Sequence, residues 1–355
     1  MKRIALLVAL LSVAFACGAA AEDKTPAYTF TWSGYIKADF AYDRARVTSG
    51  DYALYVLESD PGAENDLMSI TARESRLGFD FGWIEGEYKT AAKVEFDFYG
   101  LGASSASLTA QENKATTMLR HAYLEVAKGR WSLLAGQTSD VMSPLVPKTV
   151  NYTVCWDQGN IGYRRPQLRL STSAKVKDHG KVSFAVAAAR TIGGDIDGDD
   201  VDDGADSALP TIEGRLGLAA KTCSRGTIDI GVSGHYGRET YDGDEEKIES
   251  WSANGDFKAV FCAKLEVSGE LFVGQNLGAY YGGVGQTVNP LGCEIGSKGG
   301  WAQVSFSPTP RFSFNAGYGI DDPDEEDLEI DEAGPAKSFI DANENIFGRV
   351  FYSIT

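Results

Sequence analysis

The strongest constraint on the fold is a period-two alternation of apolar and polar residues that recurs along most of the chain. It begins at Tyr28, where Phe30 and Trp32 share one face with Phe40 while Lys37 lies on the other. Successive side chains of a β-strand point to opposite faces, so this alternation predicts strands with one apolar face. We count fourteen strands, at 28–42, 78–83, 93–100, 122–127, 131–137, 160–172, 181–188, 211–220, 227–236, 251–261, 264–273, 301–307, 311–318 and 346–354.

The connections between these strands alternate between long and short. Those after odd-numbered strands are long, at 44–70, 100–116, 138–159, 191–209, 239–249, 275–298 and 321–343, and those after even-numbered strands are short. A soluble β-sandwich has no reason to produce this pattern, whereas an outer-membrane barrel has long external loops and short periplasmic turns. We therefore predict an all-β chain forming a transmembrane antiparallel up-and-down β-barrel.

The N-terminus predicts export from the cytoplasm. Lys2 and Arg3 precede an apolar run from Ile4 to Ala16 and a small-residue exit, which is typical of a secretory signal peptide covering residues 1–21. Lipid attachment at Cys17 is the alternative reading of the same segment. Because no later stretch approaches the roughly 18 to 20 apolar residues of a membrane helix, we expect residues 22–355 to form one barrel domain.

The acidic charge is concentrated in two loops. Residues 195–206 hold seven acids and residues 321–332 hold nine, while the rest of the chain is nearly neutral. Asp195, Asp197 and Asp199 at alternate positions are weak candidates for a divalent-cation site, but the glycine and glutamate of a calcium-binding EF-hand loop are not in register. A solvated acidic loop is the competing interpretation.

The connection at 138–159 differs from the others in its composition. It contains Pro144, Pro147 and several apolar side chains but few charges. Leaving apolar surface in water costs about 25 cal/mol per Å², so we expect this loop to fold into the barrel and constrict it. The strand that follows brings Arg165 and Arg169 beside the loop.

The polar faces of the strands supply the candidate pore-lining residues. If the apolar faces meet lipid, the opposite faces meet water in the barrel interior. The basic candidates for the pore wall and constriction are Arg76, Lys93, His121, Arg165, Arg169, Arg215 and Arg349. Arginines paired with neighbouring carboxylates in a wet interior are the alternative.

Several segments resemble the DcaP-like trimeric porins of Gram-negative outer membranes. They are SGYIKADFAY (33–42), ESRLGFDF (74–81), KVEFDFYG (93–100), LRHAYLEV (119–126), LLAGQTSD (133–140) and PKTVNYTVCWDQGNIGYRRPQLRL (147–170). The resemblance is strongest in 33–170 and implies a homotrimeric, water-filled diffusion channel that contacts outer-membrane lipid and lipopolysaccharide. It also implies a preference for small anionic solutes such as dicarboxylates.

The sequence departs from this family in three respects. Relatives have sixteen strands, so a further pair could lie in 52–58 or 149–156. The helical N-terminal extension of some relatives is missing, and the chain ends with Ile354 and Thr355 instead of an aromatic residue.

Other classes of function find little support. The sequence has only three histidines, His121, His179 and His235, and no phosphate-binding glycine motif, zinc-ligand spacing or basic nucleic-acid patch. We therefore expect neither an enzyme nor a cofactor. The alternative to a porin is a structural or adhesive barrel whose acidic loops bind cations or surface partners.

Four cysteines remain after the signal segment. Pairing Cys223 with Cys262 and Cys155 with Cys293 would keep both partners of each pair on the same side of the predicted barrel. Four free thiols are the alternative.

Overall fold

The computed structural model describes residues 27–48, 52–59, 62, 64–100, 115–176, 180–194, 201–223, 226–241, 246–261, 264–328 and 339–354. The expected signal segment 1–21 lies outside these residues, as do Asp195, Asp197 and Asp199.

The described chain is almost entirely β-structure. Its strands are β1 Ala27–Tyr35, β2 Asp39–Asp43, β3 Leu67–Thr71, β4 Arg76–Glu85, β5 Tyr88–Gly100, β6 Thr116–Lys128, β7 Trp131–Ser139, β8 Arg164–Val176, β9 Gly180–Ala189, β10 Thr211–Cys223, β11 Gly226–Tyr241, β12 Glu246–Phe261, β13 Leu265–Gln275, β14 Gly296–Phe306, β15 Phe312–Pro323 and β16 Asn343–Tyr352. Single-turn helices α1 (Asp203–Asp206) and α2 (Glu325–Leu328) lie in the two acidic connections, where the sequence predicted no helix.

Fourteen of these strands form one antiparallel sheet in which, apart from the step from β1 to β4, each strand pairs with its neighbours in sequence. The order runs β1-β4-β5 and then consecutively to β16. β2 and β3 pair with each other and extend the hairpin formed by β1 and β4. The count of fourteen strands is therefore confirmed, and the two additional segments belong to the first hairpin rather than to 52–58 or 149–156.

The outer face of the sheet exposes apolar side chains, and the inner face buries polar ones. On β11, Val232 is 61% exposed and its outward neighbours Ile228 and Ile230 are also exposed, while the inward-facing His235 is only 5% exposed. Apolar side chains outside and polar side chains inside are what a barrel surrounded by lipid requires. No helix in the described part of the chain is long and apolar enough to cross a bilayer.

The sheet curves around residues 140–163, which we call inner loop 1. Its backbone and side chains hydrogen-bond to the inward-facing Asp97 on β5, Glu213 on β10, Gln303 on β14 and Asn345 on β16. One loop can reach the same face of such widely separated strands only if the sheet curls around it. The chain thus forms an up-and-down transmembrane barrel with a filled interior.

Two details differ from the sequence-based expectations. β11 continues to Tyr241 and β12 begins at Glu246, so most of the predicted connection 239–249 is strand. Cys155 and Cys293 are both free, which is inconsistent with their pairing. The other suggested pair includes Cys262, which lies outside the described residues.

If this face contacts lipid, the stability lost on introducing a charged residue should depend strongly on how deep in the membrane that residue lies. Leu271, at the middle of β13, is 66% exposed, and Leu265, on the same face at the short-turn end, is 37% exposed. We expect Leu271→Arg to lower the free energy of unfolding in lipid vesicles by about 2–4 kcal/mol and Leu265→Arg by about 0–1 kcal/mol. Urea titration followed by tryptophan fluorescence measures both. Equal losses at the two positions would contradict a lipid-facing outer surface.

Candidate functional site

Two carboxylates and one amide on the barrel wall hold the backbone of inner loop 1. The backbone N–H of Val141 donates to Glu213 Oε2 at 2.6 Å, and that of Leu145 donates to Glu270 Oε1 at 2.8 Å. The N–H of Lys148 donates to Gln303 Oε1 at 2.8 Å. Because buried backbone groups need partners, these wall residues replace the hydrogen bonds that a strand would have given the loop.

Arg165 is buried beneath inner loop 1 and is not part of a wall exposed to water. It is 1% exposed, and its Nε donates to Asp140 Oδ1 at 2.9 Å and lies 3.9 Å from Glu213 Oε1. Its Nη2 donates to the carbonyl of Ala279 at 3.1 Å, and its guanidinium lies 4.0 Å from the ring centre of Tyr280. The sequence led us to expect Arg165 in contact with the aqueous path, but the loops that pack over it separate it from water.

A second long connection, residues 276–295, also folds into the barrel, and we call it inner loop 2. Leu277 and Tyr280 pack with Met142 and Ile161 from the inner loop 1 segment and with Phe272 from β13 in a buried apolar cluster. From its sequence we expected this connection to be an ordinary external loop. Its run LGAYYGGVG, apolar and free of charge, was the signal that could have identified it.

Aromatic rings join the two inner loops near their outer end. Trp156 stacks on Tyr281 with ring centres 4.5 Å apart and planes 10° apart, and the Tyr52 hydroxyl donates to the Tyr281 hydroxyl at 3.1 Å. Burial raises the pKa of Tyr281 to about 12, so this phenol is neutral at physiological pH. The carbonyl of Leu54 accepts from Gln158 Nε2 at 2.6 Å, which also ties an external segment to inner loop 1.

The wall formed by β4, β5 and β6 carries nearly balanced charge. Arg76 lies 3.4 Å from Glu95, and Lys93 lies 3.2 Å from the same carboxylate. Lys93 also lies 3.5 Å from Asp80, and Arg76 lies 3.9 Å from Asp97. Two of the predicted pore-lining bases are therefore compensated by acids of their own wall.

A bulge on β6 places an additional arginine in this wall. Glu95 pairs with His121 but Phe96 pairs with Leu119, so Arg120 has no partner on β5. Arg120 Nη1 donates to Asp97 Oδ2 at 2.6 Å and to the Tyr152 hydroxyl at 2.7 Å, while His121 Nδ1 lies 3.0 Å from Thr138 Oγ1. Strict alternation assigns Arg120 to the lipid face, so the sequence pattern could not reveal it.

The wall formed by β8, β9 and β10 carries excess positive charge. A cavity of about 320 Å³ lies between this wall and inner loop 1. Its charged lining residues are Arg130, Arg169, Lys181, Arg215 and Asp140. Arg215 is paired with Asp256 through contacts of 2.6 and 3.0 Å. Arg169 bonds to the neutral Gln167 side chain and the Ser139 carbonyl, and neither Arg169 nor Lys181 forms an ion pair with a described carboxylate.

The remaining predicted site residues lie elsewhere. Arg349, on the inward face of β16, lies 5.2 Å from the ring of Phe351. In the part of the chain that the structure describes, no group of three or more His, Cys, Asp or Glu side chains is arranged to hold a metal ion.

Comparison with known proteins identifies the fold. No model of a protein family matches the sequence, and no curated protein is similar to it in sequence. The structure is similar to the crystal structure of the outer membrane channel DcaP of Acinetobacter baumannii, with a TM-score of 0.70 and 17% identity over 92% of this chain and 87% of that chain. An anion-selective porin from Comamonas acidovorans aligns with a TM-score of 0.49 and 14% identity over 85% of this chain and 81% of that chain. The resemblance to DcaP-like porins is therefore confirmed at the level of the fold.

The burial of Arg165 predicts that it contributes much more to stability than Arg169. Arg165→Gln leaves Asp140 and Glu213 buried without their cation, and we expect it to lower the free energy of unfolding by about 3–5 kcal/mol. Arg169→Gln removes a half-buried cation with neutral partners and should cost less than about 1 kcal/mol. Urea titration in vesicles compares the two. Similar losses would contradict an anchoring role specific to Arg165.

Proposed function

We propose that this protein is a non-enzymatic porin of the Gram-negative outer membrane, through which small hydrophilic solutes diffuse passively. The proposal is supported by a transmembrane barrel whose interior is lined by polar side chains and narrowed by inner loops 1 and 2. The A. baumannii protein of the same fold is described as an outer membrane channel. Formation of a homotrimer in contact with lipid and lipopolysaccharide follows from the sequence resemblance and is part of the proposal.

The preference proposed for this channel is for small anions such as dicarboxylates. The observation that carries it is the cavity beside inner loop 1, where four of the five charged lining residues are basic. Neither Arg169 nor Lys181 forms an ion pair with a described carboxylate, so their charge is only partly offset by acids such as Asp140 and remains available to a passing solute. Charges act more strongly in a narrow, partly desolvated passage than in a wide aqueous one.

The predicted pore residues then have different parts. Arg169 and Arg215 belong to the cationic wall, together with Lys181. Arg76 and Lys93 lie in the balanced wall with His121, where neighbouring acids reduce their effect on a solute. Arg165 supports inner loop 1 and influences selectivity only by holding that loop in place.

Planar-bilayer recording tests the channel and its selectivity. The purified protein should conduct, and in a KCl gradient the reversal potential of Arg169→Gln/Lys181→Gln should move toward that of a cation-selective channel. We expect the chloride-to-potassium permeability ratio to fall by about twofold or more, because two positive charges that form no ion pair with a described acid are removed from the narrow passage.

Lys258→Gln is the matched control for charge removal. Lys258 lies 3.2 Å from Glu266, which also accepts from Lys148 at 2.8 Å, so the remaining lysine still compensates that acid. A larger shift from Lys258→Gln than from the double variant would contradict the proposed cationic wall. Folding of the sample is checked by gel electrophoresis, in which an intact barrel should migrate differently before and after boiling. Absence of any conductance from protein that passes this check would favour a structural or adhesive barrel instead.

A further inference from the structure

Two buried carboxylates meet one backbone turn where inner loop 1 contacts inner loop 2. Asp157, near the end of inner loop 1, is 2% exposed, and Asp321 on β15 is fully buried. The backbone N–H groups of Gly283 and Val284 donate to Asp321 at 3.2 and 3.4 Å, and that of Gly285, which donates to the Gly282 carbonyl at 3.2 Å, also interacts with the Asp157 carboxyl. The same turn therefore serves two acids from different parts of the barrel.

The turn has an unusual backbone that aims its N–H groups at these acids. Gly283, Val284 and Gly285 have φ angles of 65°, 52° and 71°, all in the left-handed region. A β-branched residue such as Val284 rarely adopts this conformation and needs surrounding contacts to maintain it. Consecutive N–H groups pointing into one concavity form an anion-binding nest. A nest suits one negative charge, whereas here two carboxylates approach it.

Within the described ranges, no cation forms an ion pair that would balance a second charge at this turn. Among the described residues, neither Asp157 nor Asp321 forms an ion pair, and Asp157 Oδ1 is buried without a hydrogen-bond partner. The groups next to the pair on the neighbouring elements are Ser297 on β14, Asp322 on β15, Tyr281 on inner loop 2 and Asn343 on β16. Asp322 is engaged with the exposed Lys298 at 3.3 Å, and the other three groups are neutral.

Asp157 also fixes the end of inner loop 1 to the barrel. Its N–H donates to the Tyr281 carbonyl at 2.9 Å, and its carbonyl accepts from Asn343 Nδ2 at 2.6 Å. The adjacent Gly159 lies so close to β14 that an added Cβ would be 2.2 Å from the Gly300 carbonyl oxygen. The loop end therefore lies flush against the wall and has no space to adjust to an extra charge.

We propose that Asp157 and Asp321 share one proton and form a pH-dependent latch that holds the end of inner loop 1 against the barrel wall. With one proton present, the nest binds one carboxylate charge. Loss of that proton places two like charges at a buried turn and favours release of the loop end.

The direction of the pH dependence follows from the buried acid on the loop. Burial, together with the charge of Asp321, raises the pKa of Asp157 to about 8 when the latch is closed. In the open, solvated state we expect the ordinary value of about 3.9. The closed latch is therefore most stable below about pH 4, weakens as pH rises, and reaches a constant lower stability above about pH 8.

Cys155 offers a reporter of latch opening that needs no ionic current. Its thiol is 1% exposed and accepts from Asn345 Nδ2 at 3.5 Å, two residues from Asp157. Changing Cys223, Cys262 and Cys293 to Ser leaves Cys155 as the thiol that a small charged methanethiosulfonate can label in the mature chain. Burial raises the pKa of the Cys155 thiol to about 12, so its labelling rate depends on pH even when the latch does not open. Dividing this rate by the labelling rate of an Asp157→Asn chain cancels that dependence.

The test follows the ratio of the Cys155 labelling rate in the parent chain to that in the Asp157→Asn chain from pH 5.5 to pH 9.5. Detergent-solubilised protein is used, and gel electrophoresis of unboiled samples confirms that it remains folded. Since one proton separates the closed from the open latch, we expect the ratio to rise by up to about tenfold per pH unit and to level off near pH 8. In the Asp321→Asn chain the ratio should level off at a lower pH, because the negative charge of Asp321 no longer raises the pKa of Asp157. Asp229→Asn, a charge removal on the inward face of β11, should behave as the parent.

Two results would overturn the latch. The first is a labelling-rate ratio that does not change with pH. The second is an Asp321→Asn chain whose ratio levels off at the same pH as that of the parent, because the two acids would then be independent. If Asp157→Asn did not give the folded band, Asp157→Ser would serve as the neutral reference. Labelling requires no transport, so failure of the latch leaves the channel proposal standing, and absence of conductance leaves the latch standing.

Discussion

The structure depends on how the barrel satisfies the backbone of loops that have left the solvent. Inner loop 1 has no sheet partners along most of its length, and Glu213 and Glu270 accept from its N–H groups instead. A carboxylate buried without partners costs several kcal/mol, so these acids are stable only because the loop is present, and the loop is held only because the acids are present. Arg165 completes the arrangement by placing one cation between Asp140 and Glu213.

This mutual dependence also shapes the electrostatics of the interior. Acids that bind loop backbone are removed from the surface that a solute would meet, while bases on the same wall remain. On β8 to β10 the result is a lining dominated by Arg169, Lys181 and Arg215. On β4 to β6, Glu95 and Asp97 form ion pairs with the neighbouring bases instead of accepting hydrogen bonds from the backbone of inner loop 1. An almost balanced set of lumenal charges thereby becomes an asymmetric one.

The interior is a small folded core and not an empty tube. Residues from both inner loops bury Met142, Leu277 and Tyr280 together, and the stack of Trp156 on Tyr281 extends this contact outward. The turn at 283–285, which is strained at Val284, is maintained by the carboxylates of Asp157 and Asp321. The two inner loops therefore share both an apolar cluster and a turn bonded to buried acids.

The sequence by itself determined the barrel, because strand periodicity and connection length are local properties. Fourteen alternating segments became fourteen neighbouring strands, and the apolar composition of 138–159 predicted that this loop would not remain in water. Only the tertiary structure separated Arg165 from Arg169, which share one face of β8, because burial depends on which distant segments pack above each residue. It also placed Arg120 inside through a bulge, since one unpaired residue changes the face of a strand without changing its composition.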